Sequence, residues 1–274
     1  MTDAIKSLPP VAEMMRASGL EPKKQFGQNF LIDLNLTGRI ARSVPDIETV
    51  DVMEIGPGPG GLTRALLMAG AHRVVAIEKD PTTKTILDKI AVAAAGRLTV
   101  VYGDALRVDT RALGLNEYAI CANLPYNVGT ELFTRWLVAV ASGARIKSMT
   151  LMFQREVAQR ITAHVGDEQY GRLAVLASLI ADAKILFDVP NTAFVPRPRV
   201  QSAVVQIVPN PDKIRNVSDV HKLEQITAKL FGQRRKMIRG IIPNVDWVKY
   251  GLTGTERAEE LSPEKFLQLS HDLI

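Results

Sequence analysis

The sequence contains a single cysteine, Cys121, so it cannot form an internal disulfide bond. Scarcity of cysteine is typical of proteins that work in a reducing compartment. No apolar run reaches the roughly 18 residues that a membrane-spanning helix needs; the nearest candidate, residues 173–181, ends at Asp182. The N-terminus also lacks the continuous apolar block of a secretory signal. We therefore expect a cytoplasmic protein that does not associate with membranes.

Metal-ligand patterns are also missing from the sequence. The four histidines are scattered without the spacing of metal ligands, and we predict no metal site. Cys121 lies within an apolar run and is predicted to be a small core residue. With 46% hydrophobic and 23% charged residues, the composition is that of a globular protein and excludes disorder as a description of the whole chain.

Positive charge is concentrated in one part of the chain. The whole sequence has 34 basic and 29 acidic residues, a net charge of +5. Residues 190–240 alone contain ten basic and three acidic residues, or +7, so the remainder sums to −2. A localised basic segment on a near-neutral body favours binding to a polyanion such as nucleic acid. A solvated basic face without a partner is the alternative.

The order of apolar runs predicts an α/β fold. Short runs that read as strands alternate with helical stretches, which implies a mostly parallel sheet with helices on both faces. The predicted strands are 50–55, 72–78, 98–103, 118–123 and 148–153, and the intervening predicted helices are 61–70 and 81–95. A proline-flanked run at 203–208 suits the edge of the sheet.

The C-terminal part reads as helical. Helices are predicted at 218–231, 234–241 and 262–273, the last behind the possible cap Ser262. We therefore predict a large domain over residues 1–210 and a small helical domain over residues 211–274.

A glycine-rich turn between the first predicted strand and helix indicates a ligand site. The sequence E-I-G-P-G-P-G-G-L-T spans Glu54–Thr63, and its glycines permit a tight turn and close approach of a ligand. Gly56, Gly58 and Gly61 also match the pattern of dinucleotide-binding proteins. Against that alternative, the interleaved prolines cannot donate N–H groups to a pyrophosphate. Glu54 favours a cationic ligand that carries an amine.

Two acidic residues follow the next two predicted strands. Glu78 ends the second strand, 22 residues after Gly56, where a carboxylate accepts hydrogen bonds from both ribose hydroxyls of an adenosine moiety. Asp104 follows the third strand and can accept from an adenine amine. Either residue alone could be an exposed loop acid. Together at successive strand ends they favour a nucleoside cofactor, because ligands bind at that edge of such sheets.

The sequence N-L-P-Y, residues Asn123–Tyr126, ends the fourth predicted strand. The lone pair of an adenine amine is delocalised into the ring, so the amine needs acceptors that favour a pyramidal nitrogen. The Asn123 amide oxygen and a carbonyl of the stiff Leu124–Pro125 turn can supply them, and Tyr126 offers a face for a stacked, extruded base. The alternative is an ordinary turn beside a half-buried tyrosine.

These motifs together resemble those of the ribosomal RNA adenine dimethyltransferases, in particular the branch that modifies the small-subunit RNA of bacteria. Two departures from the family pattern, V-G-T-E at 128–131 and Arg155 in place of lysine, touch no residue with an assigned role. The motifs that carry the resemblance are E-I-G-P-G and N-L-P-Y, together with K-K-Q-F-G-Q-N-F-L (23–31), F-Q-R-E-V-A-Q-R (153–160), Y-G-R-L (170–173), F-V-P-R-P-R-V-Q-S-A-V-V (194–205) and F-G-Q-R-R-K-M-I-R (231–239).

The resemblance implies a Rossmann-like methyltransferase that uses S-adenosyl-L-methionine. Its implied reaction is dimethylation of two neighbouring adenosines near the 3′ end of 16S rRNA, within the small ribosomal subunit or its precursor, by a monomeric enzyme. It also implies that the N-terminal segment, residues 1–45, covers the cofactor, and that Phe194 lies opposite Tyr126 to sandwich the target base.

The candidate site residues fall into three groups. The cofactor-binding candidates are Gln28, Asn29, Leu31, Glu54, Gly56, Gly58, Glu78, Lys79, Asp104, Ala105 and Asn123. The catalytic candidates are Asn123, Leu124, Pro125, Tyr126 and Phe194. The RNA-binding candidates are Arg197, Arg199, Arg234, Arg235 and Lys236.

Three other functions compete with this one. A 23S rRNA methylase that confers antibiotic resistance shares the chemistry, but the F-x-P-x-P-x-V-x-S and R-R-K motifs favour the small subunit. A mainly non-catalytic assembly factor would not need the intact Asn123, Glu78 and Asp104. A dinucleotide oxidoreductase is disfavoured by the prolines of the glycine turn.

Overall fold

The computed structural model describes residues 2–23 and 27–273. Short 3-10 turns supplement the α-helices, for example at Pro81–Thr83 and Trp247–Tyr250. The α-helices are α1 (Thr2–Lys6), α2 (Val11–Ser18), α3 (Leu34–Arg42), α4 (Gly61–Met68), α5 (Lys84–Ala93), α6 (Gly129–Ala141), α7 (Arg155–Thr162), α8 (Arg172–Ile180), α9 (Pro211–Ile214), α10 (Val220–Phe231), α11 (Ile238–Ile241) and α12 (Pro263–Leu273).

A seven-stranded sheet, flanked by helices, forms the centre of the fold. Its order is β4-β3-β2-β5-β6-β9-β7, and a separate antiparallel pair joins β1 to β8. The pairs from β4 to β6 are parallel, whereas β9 runs antiparallel to β6. The strands are β1 (Phe30–Leu31), β2 (Asp51–Ile55), β3 (Arg73–Glu78), β4 (Leu98–Tyr102), β5 (Tyr118–Asn123), β6 (Ile146–Gln154), β7 (Ala181–Val189), β8 (Phe194–Val195) and β9 (Ser202–Pro209).

The predicted α/β fold with a mostly parallel sheet is confirmed. β2 to β6 lie within two residues of the predicted strands, and β5 matches its predicted range. Their side chains form the core because both faces of the sheet are covered: nearly every residue of β2, β3 and β5 is buried. Cys121 is fully buried in β5, as predicted.

Two predictions about secondary structure were wrong. The run at 203–208 was placed at the edge of the sheet, but β9 lies between β6 and β7, and β7 is the terminal strand of that order. The prolines do not prevent this because Pro209 stands at the last position of β9, where the ladder ends. The helix predicted at 234–241 begins only at Ile238, after a series of turns.

The chain divides into two compact units. The first comprises residues 1–132, 145–155 and 185–207, and it contains β2 to β6 with α1 to α5. The second comprises residues 133–144, 156–184 and 208–274. In the second unit α8, α10 and α12 pack together around stacked rings, with the centroids of Phe231 and Phe266 5.3 Å apart. There the Tyr170 hydroxyl donates to the Leu261 carbonyl over 2.9 Å.

A buried arginine of α4 fixes the N-terminal helices. The Arg64 side chain is 2% exposed, and its guanidinium donates to the carbonyls of Ile5, Leu8 and Pro9 at 3.2, 3.1 and 2.6 Å. These carbonyls belong to the end of α1 and to its link with α2. Arg64 forms no ion pair with the described residues, and burial lowers the pKa of its guanidinium. Its charge is therefore balanced by carbonyl dipoles.

Replacing Arg64 with Met should destabilise the protein by about 2–4 kcal/mol, because three carbonyls lose a charged donor while the side-chain volume is largely kept. Hydrogen exchange of the α1 and α2 amides should accelerate more than that of the β2 amides. The matched control is Arg16→Met, which removes an exposed arginine of α2. Urea denaturation that gives equal unfolding free energies for both variants would contradict this role of Arg64.

Candidate active site

A cleft lies at the carboxyl ends of β2 to β5. Its walls come from the first compact unit, and every predicted cofactor residue lines it. We refer to it as the cleft; its lining residues are 27–31, 54–59, 62, 77–79, 103–106, 123–128 and 132.

The glycine turn that joins β2 to α4 forms the floor of the cleft. Gly56 and Gly58 have positive φ angles of 67° and 53°, a conformation that strains other residues. A Cβ atom at Gly58 would lie 3.0 Å from the Phe30 ring, and one at Gly61 would lie 2.5 Å from the Leu31 carbonyl oxygen. Glycine is therefore required here because the wall formed by residues 27–31 packs directly on the turn.

Glu54 places a buried carboxyl group at the end of β2. Its side chain is 1% exposed, and Oε2 accepts a 2.7 Å hydrogen bond from the Thr63 hydroxyl. It forms no ion pair with any residue in the described ranges. Burial and, to a smaller extent, the nearby Glu78 raise the pKa of Glu54 from 4.5 to about 8, against the lowering effect of the Thr63 hydrogen bond. A cationic ligand in the cleft would favour the ionised form of this carboxyl and pair with it.

Glu78, at the end of β3, is held by two backbone donors. Gly58 N–H donates to Oε2 over 2.9 Å, and Asp80 N–H donates to Oε1 over 2.7 Å. Burial raises the pKa of this carboxyl, and these two hydrogen bonds act in the opposite direction. The first bond ties the glycine turn to β3. Each oxygen retains acceptor capacity for a hydroxyl group of a ligand.

Asp104 and Lys79 form an ion pair at the rim of the cleft. Lys79 Nζ lies 2.8 Å from Asp104 Oδ2, and the Leu106 N–H donates to Oδ1 over 3.0 Å. These contacts lower the pKa of Asp104, the bond from Lys79 most strongly. Asp104 is therefore an ionised acceptor at neutral pH, partly exposed and fixed in direction.

Asn123 is oriented by the opposite wall. Its Nδ2 donates to the Asn29 carbonyl over 3.1 Å, across 94 residues of sequence. A carbonyl oxygen can accept only from the NH2 end of the amide, so this contact dictates which way the amide faces. Oδ1 is left as the acceptor of Asn123, which lines the cleft.

Tyr126 is fixed through its hydroxyl group rather than its ring. Its Oη lies 2.7 Å from Ser202 Oγ, at the first residue of β9. Ser202 is fully buried, and Tyr126 is half-buried and lines the cleft. Anchoring the hydroxyl restricts the ring to one orientation and leaves its face available for contact with a planar group.

Asp80, two residues after the end of β3, contacts Lys23 and Gln28 of the N-terminal segment. Lys23 Nζ lies 2.9 Å from Oδ1, and Gln28 Nε2 donates to Oδ2 over 3.1 Å. Burial alone would raise the pKa of Asp80, but hydrogen bonds from Thr82, Lys23 and Gln28 lower it to about 2. Asp80 is thus an ionised carboxylate with no exposed surface.

The remaining predicted residues lie outside the cleft. Phe194 is 3% exposed in β8, where it pairs with Leu31 of β1. Arg197 and Arg199 are exposed after that strand, and Arg197 donates to the Asn191 amide oxygen over 2.9 Å. Of the upstream motif, residues 24–26 lie outside the described residues.

In the second compact unit, the basic candidates differ in their contacts. Arg234 pairs with Glu259 and donates to the Glu168 carbonyl, so part of its capacity is used within the fold. Arg235 and Lys236 are exposed, and no ion pair between them and another described residue is present.

Reasoning from the sequence missed three residues that shape the cleft. Thr63 and Ser202 were within the motifs, but no role was assigned to them; Thr63 lies nine residues from its partner Glu54, whereas Ser202 lies 76 residues from Tyr126. Asp80 carries a usable signal: Asp before Pro81 is typical of an N-cap, and its side chain accepts from Thr82 N–H. Its link to Lys23 and Gln28 had no sequence signal.

Residues 2–23 and 27–273 contain neither a candidate membrane-spanning helix nor a candidate metal cluster. No helix in these ranges is long and apolar enough to cross a membrane. The same ranges contain no cluster of three or more His, Cys, Asp or Glu residues suited to holding a metal ion.

Comparison with known proteins identifies a family. The model of the family described as ribosomal RNA adenine dimethylase matches residues 19–274. The chain is 49% identical over 276 residues to the ribosomal RNA small subunit methyltransferase A of Chelativorans sp. (strain BNC1), covering 98% of this chain and all of that protein. It is also 49% identical to the protein of the same name from Paracoccus denitrificans (strain Pd 1222), with 98% of each chain covered.

Solved structures share the fold. A dimethyladenosine transferase from Plasmodium falciparum superposes with a TM-score of 0.72 at 24% identity, over 86% of this chain and 94% of that one. The 23S rRNA methyltransferase ErmE superposes with a TM-score of 0.66 at 23% identity, over 89% of this chain and 98% of that one. At these identities the likeness concerns the fold.

The buried carboxyl of Glu54 predicts an unusual pH dependence of stability in the absence of ligand. A folded-state pKa raised from 4.5 to about 8 means that Glu54 stabilises the fold fully below pH 4.5 and loses this contribution as the pH rises through about 8. Between those values the unfolding free energy should fall by about 1.4 kcal/mol per pH unit from this group.

Urea denaturation at pH 6, 7 and 8 measures this slope. Glu54→Gln should remove it, so that the variant gains stability relative to the original protein as the pH rises. Glu13→Gln, at an exposed position of α2, is the control and should keep the original slope. Parallel pH profiles for the Glu54→Gln variant and the original protein would contradict a protonated Glu54.

Proposed function

This chain belongs to the ribosomal RNA adenine dimethylase family, and we propose that it dimethylates the exocyclic amines of two adjacent adenosines near the 3′ end of 16S rRNA. It is an S-adenosylmethionine-dependent enzyme. The observation that carries the proposal is the shared cleft: the N-L-P-Y turn lines the same cavity as Glu54, Glu78 and Asp104.

The residues of the cleft fit S-adenosylmethionine. Glu54 is a buried carboxyl without a cationic partner among the described residues, which suits the amine-bearing methionine part. The glycine turn leaves no room for a Cβ atom at Gly58, and Gly56 permits close approach of the methionine part beside it. Glu78 is the acceptor for the ribose hydroxyls and Asp104 for the adenine amine, with Lys79 and Ala105 beside them. When bound, S-adenosylmethionine supplies an electrophilic methyl group on a sulfonium.

The N-L-P-Y turn prepares the target amine for attack. Asn123 presents Oδ1 because Nδ2 is bound to the Asn29 carbonyl, and the Leu124–Pro125 turn supplies a second acceptor. Two acceptors for the two amine hydrogens favour a pyramidal nitrogen with an available lone pair. Alignment with the methyl group then lowers the barrier, and loss of positive charge from the donor assists. The product ammonium is acidic enough to lose its proton to water, so no side-chain base is needed.

Tyr126 stacks on the extruded base. Its ring is restrained by the bond to Ser202, so binding of the base costs little further conformational freedom. A stack of this kind contributes roughly 1–3 kcal/mol. Phe194 is the proposed opposite partner; because it is buried in β8, it would contact the base only after a local rearrangement.

We propose that RNA is bound through phosphate contacts from Arg197, Arg199, Arg235 and Lys236. In support, these side chains are exposed and lie in the basic segment 190–240. We assign methyl transfer to residues 1–210, which also contribute Arg197 and Arg199 to RNA binding, and the remaining RNA recognition to residues 211–274. The substrate is the small ribosomal subunit or its precursor, the enzyme acts as a cytoplasmic monomer, and methylation accompanies subunit maturation. The names of the 49% identical relatives favour the small subunit over 23S rRNA.

A methylation assay tests the function and the role of Asn123 together. With labelled S-adenosylmethionine and unmethylated small subunits, the label should map to two adjacent adenosines of 16S rRNA. Asn123→Ala should lower the single-turnover rate about 10- to 100-fold, the cost of a hydrogen bond to a group that gains charge. A folded Asn123→Ala protein with the original rate would exclude a catalytic role, and label on 23S rRNA alone would exclude the proposed substrate.

The same assay distinguishes the contribution of the Tyr126 ring from that of its hydroxyl group. Tyr126→Phe keeps the stacking face and should retain much of the activity, with some loss of thermal stability because Ser202 loses its partner. Tyr126→Ala should lose far more activity. If both variants lose activity only in proportion to their folded fraction, as measured by thermal melts, Tyr126 is a packing residue.

Replacing Arg197, Arg199, Arg235 and Lys236 by Gln should weaken binding to the small subunit and leave S-adenosylmethionine affinity unchanged. The slope of log affinity against log salt should fall in magnitude by roughly 0.7–0.9 for each phosphate that the protein no longer neutralises. The matched control is Lys89→Gln, which removes an exposed lysine outside the basic segment. An unaltered salt slope in the fourfold variant would contradict the proposed phosphate contacts.

A further inference from the structure

We propose that Asp80 is a positioning residue for the cofactor, which fastens the wall formed by residues 27–31 over the cleft through Lys23 and Gln28. The inference rests on the proposed function, since it concerns the site that holds S-adenosylmethionine. It assigns a role to Asp80 and to the side chain of Gln28, which contacts Asp80 with its amide nitrogen.

Three side chains form a closed set of contacts. Asp80 Oδ1 lies 2.9 Å from Lys23 Nζ, and Asp80 Oδ2 accepts from Gln28 Nε2 over 3.1 Å. The other end of the same Gln28 amide, Oε1, accepts from the Lys23 backbone N–H over 2.8 Å. Both ends of the Gln28 amide are therefore used, which suits a structural tie better than direct recognition of a ligand.

A turn cap alone does not explain a buried carboxylate at this position. The cap uses only Oδ1, which accepts from the Thr82 N–H over 3.0 Å and from its hydroxyl over 2.6 Å. A neutral Asn or Ser caps a helical turn about equally well. Burying a charge is costly unless a cation and hydrogen bonds compensate for it, and here Lys23 and Gln28 provide that compensation. The charge of Asp80 therefore serves the link to the wall.

The same residue also fixes the ribose acceptor. The Asp80 N–H donates to Glu78 Oε1 over 2.7 Å, so one residue contacts both the segment that carries the wall and a carboxylate that lines the same cleft. The wall in turn carries Asn29, whose carbonyl orients Asn123. If residues 27–31 were no longer held in place, the affinity for the cofactor would fall first. The Asn123 side chain would then also lose its fixed orientation.

Calorimetric titration of the full chain with S-adenosylmethionine tests the link. Asp80→Asn, Lys23→Met and Gln28→Leu should each raise the dissociation constant by about tenfold, which corresponds to about 1.4 kcal/mol. Both changes of the Asp80→Asn/Lys23→Met double variant break the same link. The increase in its dissociation constant should therefore be much smaller than the product of the increases in the two single variants. The KM for S-adenosylmethionine should rise in parallel, with kcat at saturating cofactor changed much less. Hydrogen exchange of amides 27–33 should accelerate in all three single variants.

Two control variants distinguish the link from Asp80 to Lys23 and Gln28 from the role of Asp80 in the turn that follows it. Thr83→Val removes the hydroxyl that donates to the Asp80 carbonyl over 2.7 Å; it weakens the turn and leaves the contacts of the Asp80 side chain with Lys23 and Gln28, so its affinity should stay near the original value. Lys84→Met removes an exposed lysine that pairs with Asp88 on α5, and it should also bind normally.

Original affinity in both Lys23→Met and Gln28→Leu, with lower thermal stability in Asp80→Asn, would overturn the inference and leave Asp80 as a cap. That outcome is distinct from failure of the proposed function, in which the unaltered protein itself would neither bind S-adenosylmethionine nor methylate the small subunit.

Discussion

Parallel pairing of β2 with its neighbours β3 and β5 is the constraint on which the site depends. In a parallel sheet the carboxyl ends of all strands lie at one edge, so Glu54, Glu78 and Asn123 meet although they are far apart in sequence. The hydrogen bond from Gly58 N–H to Glu78 then fixes the position of the glycine turn relative to that edge of the sheet. The wall from the N-terminal segment closes the other side, and the Asn29 carbonyl contacts Asn123 there.

Buried ionisable side chains are accommodated in two different ways. Arg64 and Asp80 are compensated within the fold, the first by carbonyl dipoles and the second by Lys23 and Gln28, and both hold the N-terminal segment in place. Glu54 has only the hydroxyl of Thr63. Compensated charges thus serve structure, whereas the uncompensated carboxyl lies where a cationic ligand is expected.

The sequence predicted the fold and the cleft well because their signals are local. β2 to β5 are apolar runs followed by acidic or amide residues, and the alternation with helices defines their parallel arrangement. The errors arose where contacts between residues far apart in the sequence determine the structure. β9 is interior rather than at the edge because β7, whose sequence gives a weak strand signal, pairs beyond it. The partners of Tyr126 and Asp80 were likewise unpredictable, since Ser202 and Lys23 lie 76 and 57 residues away.

The position of β9 has a consequence for folding during synthesis. β9 inserts between β6 and β7, although both precede it in the chain. As the polypeptide leaves the ribosome, the outer edge of β6 therefore stays without its native partner until residues 202–209 have emerged. Ser202 arrives with that strand, so the ring of Tyr126 acquires its anchor among the last events of assembly. All lining residues of the cleft lie in the first 132 residues, whereas the pairing partner of β1 and the anchor of Tyr126 arrive only with β8 and β9.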